Sequence, residues 1–459
     1  MKVCLLHPEF TIYFTYEGPI GLAYLQACLK EKGHEVKIID NNVLLLPHEK
    51  LIEELRNCDA VGITMTTPTY KTVKAIAEKV KKELRIPVIL GGPHPTIAPL
   101  DCLDFSDFVI SGEGEKAFPE LAEVLGKTKS RKLLFKKLKK IKNISFNWNG
   151  KKIQNKREAF IEDLDKLPFP DWNGFPIEKY GSALRTSGKS LPIITSRGCP
   201  YSCVYCFKGL FGLKYRVRSA KNVVAELEHL KKEFGIREFQ IADDCFTLLK
   251  PRAIEICKRM IEKKINLPWS LPNGIRADTI TDELAQWMKK SGLEYTGLGI
   301  ESGSQKILDS IGKVQKKETV REAVKILKKN KIKTVGFFMF GLPGETLETM
   351  KETVQFAKEL DLDYCSISMT TPYPGTRLFD EIKNGKGTLL TKSPEDLFSL
   401  GSKVKYTMPG MALPEEIEQQ YRKARMVLLL RPKTILKNLK DPKKLIAGAK
   451  VAYKWLLKT

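Results

Sequence analysis

Thr195-Ser196-Arg197-Gly198-Cys199-Pro200-Tyr201-Ser202-Cys203-Val204-Tyr205-Cys206 carries three cysteines spaced Cys-x3-Cys-x2-Cys. Inside a cell, clustered cysteines bind metal or do redox work more often than they form disulfides. Three thiolates can ligate three irons of a cubane cluster, which leaves the fourth iron without a protein ligand. An open metal position is where a substrate or cosubstrate binds. A cluster that only carries electrons would take a fourth cysteine nearby, and none follows the motif in sequence. Structural zinc would likewise need a fourth Cys or His. His229 is the one candidate on this side of the chain, and its surroundings read as mid-helix. Cys4, Cys28, Cys58, Cys102, Cys257 and Cys365 are scattered through apolar surroundings and read as buried structural thiols.

Outward from the motif, strand and helix patterns alternate from Leu191 to about Phe379. Strands are expected near Ile193–Ser196, Phe239–Ala242, Trp269–Leu271, Thr296–Ile300, Val335–Phe340 and Cys365–Met369. Six strand–helix repeats predict a partial (β/α)6 barrel, which with its following loops spans residues 191–412. Catalytic groups in such barrels sit at the carboxyl ends of strands, and the cysteine cluster follows the first strand of the series.

The motif resembles that of the radical S-adenosylmethionine (SAM) superfamily, and the resemblance covers roughly Leu191 to Phe379. It implies that Cys199, Cys203 and Cys206 hold a 4Fe-4S cluster that splits SAM to a 5′-deoxyadenosyl radical, with Tyr205 packed near the adenine. Further matches follow at successive strand ends. Asp243 and Asp244, in Ile241-Ala242-Asp243-Asp244-Cys245-Phe246, resemble the segment that binds the SAM amino group. Carboxylates accept from an ammonium, and one of the pair is expected to cap the following helix instead. Arg276 ends the third strand region. Glu301 and Ser302, in Gly299-Ile300-Glu301-Ser302-Gly303, are expected at the SAM carboxylate or ribose. Gly341, in Gly341-Leu342-Pro343-Gly344-Glu345, would let backbone approach the ligand. Cys245 reads either as a buried thiol or as a hydrogen donor beside the site.

Residues 1–126 also alternate strands (Val3–Leu6, Val36–Ile39, Ala60–Thr66, Val88–Leu90, Phe108–Ser111) with helices (about 20–32 and 70–84), which predicts a doubly wound, Rossmann-like α/β domain. Such a domain ahead of a radical SAM barrel resembles the cobalamin-binding, methyltransferase-like subgroup, with further similarity to anaerobic tetrapyrrole cyclases and lipid-modifying relatives. The matching residues are Gly91-Gly92-Pro93-His94-Pro95-Thr96 and Gly112-Glu113-Gly114-Glu115. The resemblance implies that Gly91 and Gly92 pass under a corrin, with Thr64 and Thr66 at its nucleotide tail and His94, Gly112 and Glu113 against the cofactor. The Asp-x-His-x-x-Gly loop of many cobalamin proteins, whose His ligates cobalt, is absent after the first strand, so the cobalt ligand stays open.

Residues 127–190 are basic at first, then carry the hairpin signal Asn147-Trp148-Asn149-Gly150. They then turn rich in Pro, Asp and aromatics, and read as a hairpin and extended connector. Residues 413–459 read as a basic helical tail. About Lys443 to Lys458, lysines gather on one helix side and apolar residues on the other, with Trp455 at the boundary. This pattern suits either an anionic membrane surface or packing on the barrel.

The 459 residues predict more than one domain, and 42% hydrophobic content suffices for packed cores. No apolar run approaches the ~20 residues needed to span a bilayer, and the N-terminus reads as a strand rather than a signal peptide. A cytoplasmic location is expected, with peripheral contact to the membrane's inner face if the tail binds it. The net charge of +24 reflects a lysine-rich surface or an acidic partner; no specific nucleic acid is expected. The leading function is cobalamin-dependent methyl transfer to an unactivated carbon, with ferredoxin or flavodoxin as electron donor. The alternatives are radical oxidation, cyclisation or carbon–carbon bond formation on a lipid or tetrapyrrole, and a non-catalytic cobalamin or iron–sulfur carrier or sensor.

Overall fold

The computed structural model describes residues 1–10, 17–181 and 189–429. β1 (Lys2–His7), β2 (Glu35–Asp40), β3 (Ala60–Thr64), β4 (Val88–Gly91) and β5 (Phe108–Ile110) form a parallel sheet in the order β2-β1-β3-β4-β5. Val3, Cys4, Leu5 and Leu6 are all buried, as a strand covered on both faces requires. Helices α1 (Ile20–Glu31) and α2 (Tyr70–Glu83) bury apolar stripes; in α2 the stripe is Val73, Ile76, Ala77 and Val80. Strand order reverses between β1 and β3, and the crevice beyond their carboxyl ends is where such sheets bind ligands.

Two boundaries differ from the sequence expectation. β3 ends at Thr64 because the Thr66 backbone N–H donates to Thr69 Oγ1 at 3.0 Å, opening a 3-10 turn over Thr67–Thr69. The hairpin of β6 (Ile144–Trp148) and β7 (Lys151–Gln154) is not a free-standing connector. β6 pairs antiparallel with β5, so the N-terminal sheet runs on to Gln154. Asn149 and Gly150 both take positive φ, 50° and 77°, which a tight hairpin turn of this hand demands.

The second unit is six parallel strands in sequential order: β8 (Ser190–Ile193), β9 (Glu238–Ile241), β10 (Trp269–Ile275), β11 (Leu293–Glu301), β12 (Lys333–Phe340) and β13 (Tyr364–Met369). β8 and β13 are the two edges of this sheet, so the barrel is open. β8 lies earlier than expected. After it the chain turns, and Ser196–Arg197 pairs antiparallel with Arg216–Val217. One apolar cluster runs through both units, from Val3 and Phe118 to Trp269 and Phe338. The helix Pro414–Leu429 buries Ile417, Tyr421, Ala424 and Leu428 and closes this core. The expected Lys443–Lys458 helix lies outside the described residues. Among the described residues, no helix is long and apolar enough to cross a membrane.

Candidate active site

The cysteine loop is held by backbone from both sides. Cys199 N–H donates to the Gly212 carbonyl at 3.3 Å, and Val204 N–H to the Ile311 carbonyl at 3.0 Å. Gly198 sits at φ 88°, and a Cβ there would strike the Lys214 carbonyl, so the loop needs glycine at this point. Cys199 and Cys203 are buried and Cys206 half-buried. A hydrogen bond from Cys245 holds the Cys199 thiol below its ordinary range, and one from Cys206 does the same for Cys203. Cys245 itself, at the end of β9, lies with Sγ 3.4 Å from Cys199 Sγ, a buried thiol in contact with the motif that spacing alone did not reveal. Among the described residues, no three His, Cys, Asp or Glu side chains converge on one ion position.

Several residues expected at SAM gather at the carboxyl ends of β9 to β12, but most hold the frame. Asp243 is fully enclosed: its carboxylate accepts from Thr195 N–H at 2.6 Å and from the Thr195 and Ser196 hydroxyls, both at 2.5 Å. It therefore fixes the approach to the cysteine loop and is not free for an ammonium, which corrects the expectation. The Asp244 side chain reaches solvent, although the protein packed around it still desolvates the carboxylate. Burial raises its pKa, the Cys199 charge adds to this, and Lys208 opposes both.

Arg276 donates to Asp278 and to the Lys313 and Val314 carbonyls at 2.6–3.0 Å, and stacks 3.8 Å over the Tyr201 ring. With four of its five N–H donors so engaged, it is a clamp on the motif rather than a ligand arm. Ser302 is also corrected: it is fully buried, with Oγ 3.1 Å from Thr353 Oγ1. Glu301, at φ 67°, accepts from buried Lys313 at 2.9 Å and bonds the Tyr205 hydroxyl. Burial pulls the Lys313 pKa down, and Glu301 more than offsets it. Tyr205 thus ties the cysteine loop to the end of β11. Gly341 N–H donates to buried Glu345 at 2.6 Å, and the Gly341 carbonyl accepts from Tyr406 at 2.7 Å.

On the N-terminal side, a largely apolar cavity of about 350 Å³ lies at the switch point, lined by Leu5, Gly62, Thr64, Gly91, Ile110 and Phe118, among others. A Cβ on Gly91 would meet nothing closer than 3.9 Å and would project into this slot. Gly92 turns at φ 106°, where a Cβ would press on the Met65 carbonyl at 2.9 Å. Thr66 lines the neighbouring chamber, and Gly112 N–H donates to Thr96 Oγ1 at 2.8 Å.

Two expectations fail here. His94 is 3% exposed, bonded to Thr67 Oγ1 at 3.1 Å and set edge-on to Tyr70, so it belongs to the packing of the Pro93–Ile97 turn. Glu113 lines the cavity, but its carboxylate is taken by Arg197 at 2.8 Å, Arg216 at 2.9 Å and the Ile161 N–H at 2.7 Å. Glu115 takes the other Arg197 nitrogen at 2.6 Å.

His7 was missed. It lines the cavity and also the adjoining chamber of about 660 Å³, which Phe207, Asn273 and Tyr373 bound from the barrel side. Sequence reading sought a histidine inside the loop after β1, whereas His7 is the last residue of the strand. A slim apolar slot opening into a wider chamber fits a heteroaromatic tail with a flat macrocycle beyond it. Three clustered thiols with an exposed carboxylate nearby fit an iron–sulfur cluster with SAM.

Residues 193–357 match the radical SAM superfamily and residues 13–122 the B12 binding domain. An uncharacterised methyltransferase of Pyrococcus horikoshii, PH0819, is 36% identical over 96% of this chain and 95% of its own. The chain belongs to the cobalamin-dependent radical SAM methyltransferase family. An anaerobic magnesium-protoporphyrin IX monomethyl ester cyclase of Cereibacter sphaeroides is 31% identical over 84% of this chain and 64% of its own. The radical SAM methyltransferase TsrM of Kitasatospora setae superposes with TM-score 0.75 at 19% identity, covering 94% of this chain and 89% of its own, a likeness of fold. As a cobalamin-dependent radical SAM enzyme the chain takes a 4Fe-4S cluster, SAM and cobalamin, and it needs a reductant.

Proposed function

We propose that this enzyme methylates an unactivated carbon, with Cys199, Cys203 and Cys206 ligating the cluster and Asp244 meeting the SAM ammonium. When bound, the cofactors supply a hydrogen-abstracting radical on one side and a methyl group on the other. The chain's own residues then have three tasks. Thr195, Ser196 and Asp243 fix the loop, Gly91 and Gly92 leave room for the corrin, and Arg197 with Glu113 holds the two sites in register. The observation that carries the reading is the shared chamber. It is bounded by Phe207, one residue beyond Cys206, and by Thr64 and Thr66 at the corrin side, so a substrate there faces both cofactors.

The domain division we propose is 1–126, 127–190, 191–412 and 413–459, with the β6–β7 hairpin joined to the first sheet. Ferredoxin or flavodoxin is the proposed electron donor. The basic residues 443–458 are proposed to hold the enzyme at an anionic membrane surface on the cytoplasmic side.

The test is anaerobic purification with cobalamin supplied, followed by reduction with isotope-labelled SAM. Near-stoichiometric cobalamin, 5′-deoxyadenosine and label in the product support methyl transfer. Cobalamin with 5′-deoxyadenosine but unlabelled product favours the cyclase-type reaction, which the 31% identity to the Cereibacter cyclase keeps in view.

A further inference from the structure

His7 and Asp40 end adjacent parallel strands and are register partners in β1 and β2. Side chains at paired positions of a parallel ladder share a face, and here the two meet, His7 Nδ1 lying 2.8 Å from Asp40 Oδ1. Asp40 is almost fully buried. Its other oxygen accepts from the Tyr180 hydroxyl at 2.7 Å, and Oδ1 also accepts from the Asn42 N–H at 3.2 Å. Burial and the Asp40 charge push the Tyr180 phenol well above its ordinary pKa, so it stays a donor. A buried carboxylate that accepts at both oxygens fixes one imidazole tautomer. In the neutral ring this is the tautomer with the proton on Nδ1, which leaves the lone pair on Nε2. The ring is still 23% exposed. It lines both the apolar slot and the inter-domain chamber, and no hydrogen-bond partner for Nε2 is present among the described residues.

The other four histidines do not compete. His94 is buried against Thr67, His34 sits at the N-terminal amine, His229 is sandwiched by Phe169 and Phe234, and His48 opens a helix away from the cavity. A histidine whose second nitrogen donates to a carboxylate is the usual arrangement of a metal-ligating imidazole. The carboxylate fixes its orientation and raises its basicity.

We propose that His7 is the axial ligand of cobalt in this enzyme, oriented by Asp40 and Tyr180. The proposal rests on cobalamin being bound where Gly91 and Gly92 leave room for the corrin, as held under Proposed function. It assigns a cobalt ligand to a chain that lacks the familiar histidine loop. The ligand stands at the end of the strand, and its orienting acid comes from the neighbouring strand.

The test is electron paramagnetic resonance of the full chain loaded with cobalamin and reduced to the cob(II) state, with cobalamin content measured on the same sample. An axial nitrogen splits each cobalt line into a triplet. The expected result is a triplet that becomes a doublet when the protein is made with nitrogen-15 histidine, and that is lost in His7→Gln while cobalamin content is kept. The isotope experiment uses unaltered protein, so it does not depend on a variant folding. A triplet unchanged by labelled histidine means that the cofactor's own base is the ligand. The absence of nitrogen splitting at full cobalamin content means that no histidine ligates the cobalt. Either result overturns the proposal and leaves the methyltransferase reading standing. Wild-type protein that takes up no cobalamin overturns both.

Discussion

Arg197 Nη1 lies 2.8 Å from Glu113 Oε1, and both side chains are almost wholly buried. Glu113 follows the last parallel strand of the cobalamin-type sheet, and Arg197 stands two residues before Cys199, so one ion pair joins the two halves of the active site. Arg216 shares the same carboxylate, Glu115 takes the other arm of Arg197, and Tyr24 and Phe211 flank its guanidinium, each at 5.2 Å. Breaking such a pair on one side strands a buried charge, which costs about 3–5 kcal/mol. Glu113→Ala is expected to lower the urea midpoint accordingly and to reduce iron retention. Unchanged unfolding would remove the coupling role.

Cys203→Ala is expected to bring iron and sulfide content to background while the far-ultraviolet circular dichroism spectrum stays unaltered. Cys245→Ala is expected to keep its iron, because Cys245 touches Cys199 but is not among the three proposed ligands. Loss of iron in Cys245→Ala and not in Cys203→Ala would reverse the assignment.

The two neighbouring aspartates should separate cleanly. Asp244→Ala is expected to weaken SAM binding at least about tenfold, or roughly 1.4 kcal/mol, with little change in stability. Asp243→Ala orphans the donors of Thr195 and Ser196, at a cost of about 1–3 kcal/mol each if left unsatisfied. It should therefore lower stability first. Calorimetric titration with SAM, set against thermal melting of both variants, decides between the roles.

Glu345 is enclosed at the end of β12. Burial pushes its pKa up from 4.5 to about 8, against two backbone N–H groups that pull it down. Between those values the folded chain holds a proton that the unfolded chain has released. The stability this contributes is full below 4.5 and is lost as pH rises through about 8. Denaturant unfolding should therefore show stability falling by a few kcal/mol across that window. Glu345→Gln, neutral throughout, should lack the slope.

Much of the architecture was legible because it is local. The Cys-x3-Cys-x2-Cys spacing, the strand–helix alternation and the Asn149-Gly150 turn each depend on neighbours within a few residues. Partner choice was not legible. Asp243 and Asp244 are equivalent on paper, and only the approach of β8, 48 residues earlier, decides which one is consumed. The same holds for Ser302 facing Thr353, for His94 turned toward Thr67, and for Glu113 taken by Arg197 across 84 residues. His7 escaped notice because its significance comes from Asp40, 33 residues away and adjacent only through strand register.

The hairpin bears on how copies of this protein meet one another. By pairing with β5 it makes β7 the outer rim of the sheet, and β7 is four residues long, Lys-Lys-Ile-Gln, with all but Ile153 exposed. The rim is short and carries the exposed Lys151 beside Lys152, which pairs with Asp104 at 2.6 Å, so edge-to-edge pairing into extended sheets is disfavoured. The rim of the first sheet is thus a surface that resists self-association.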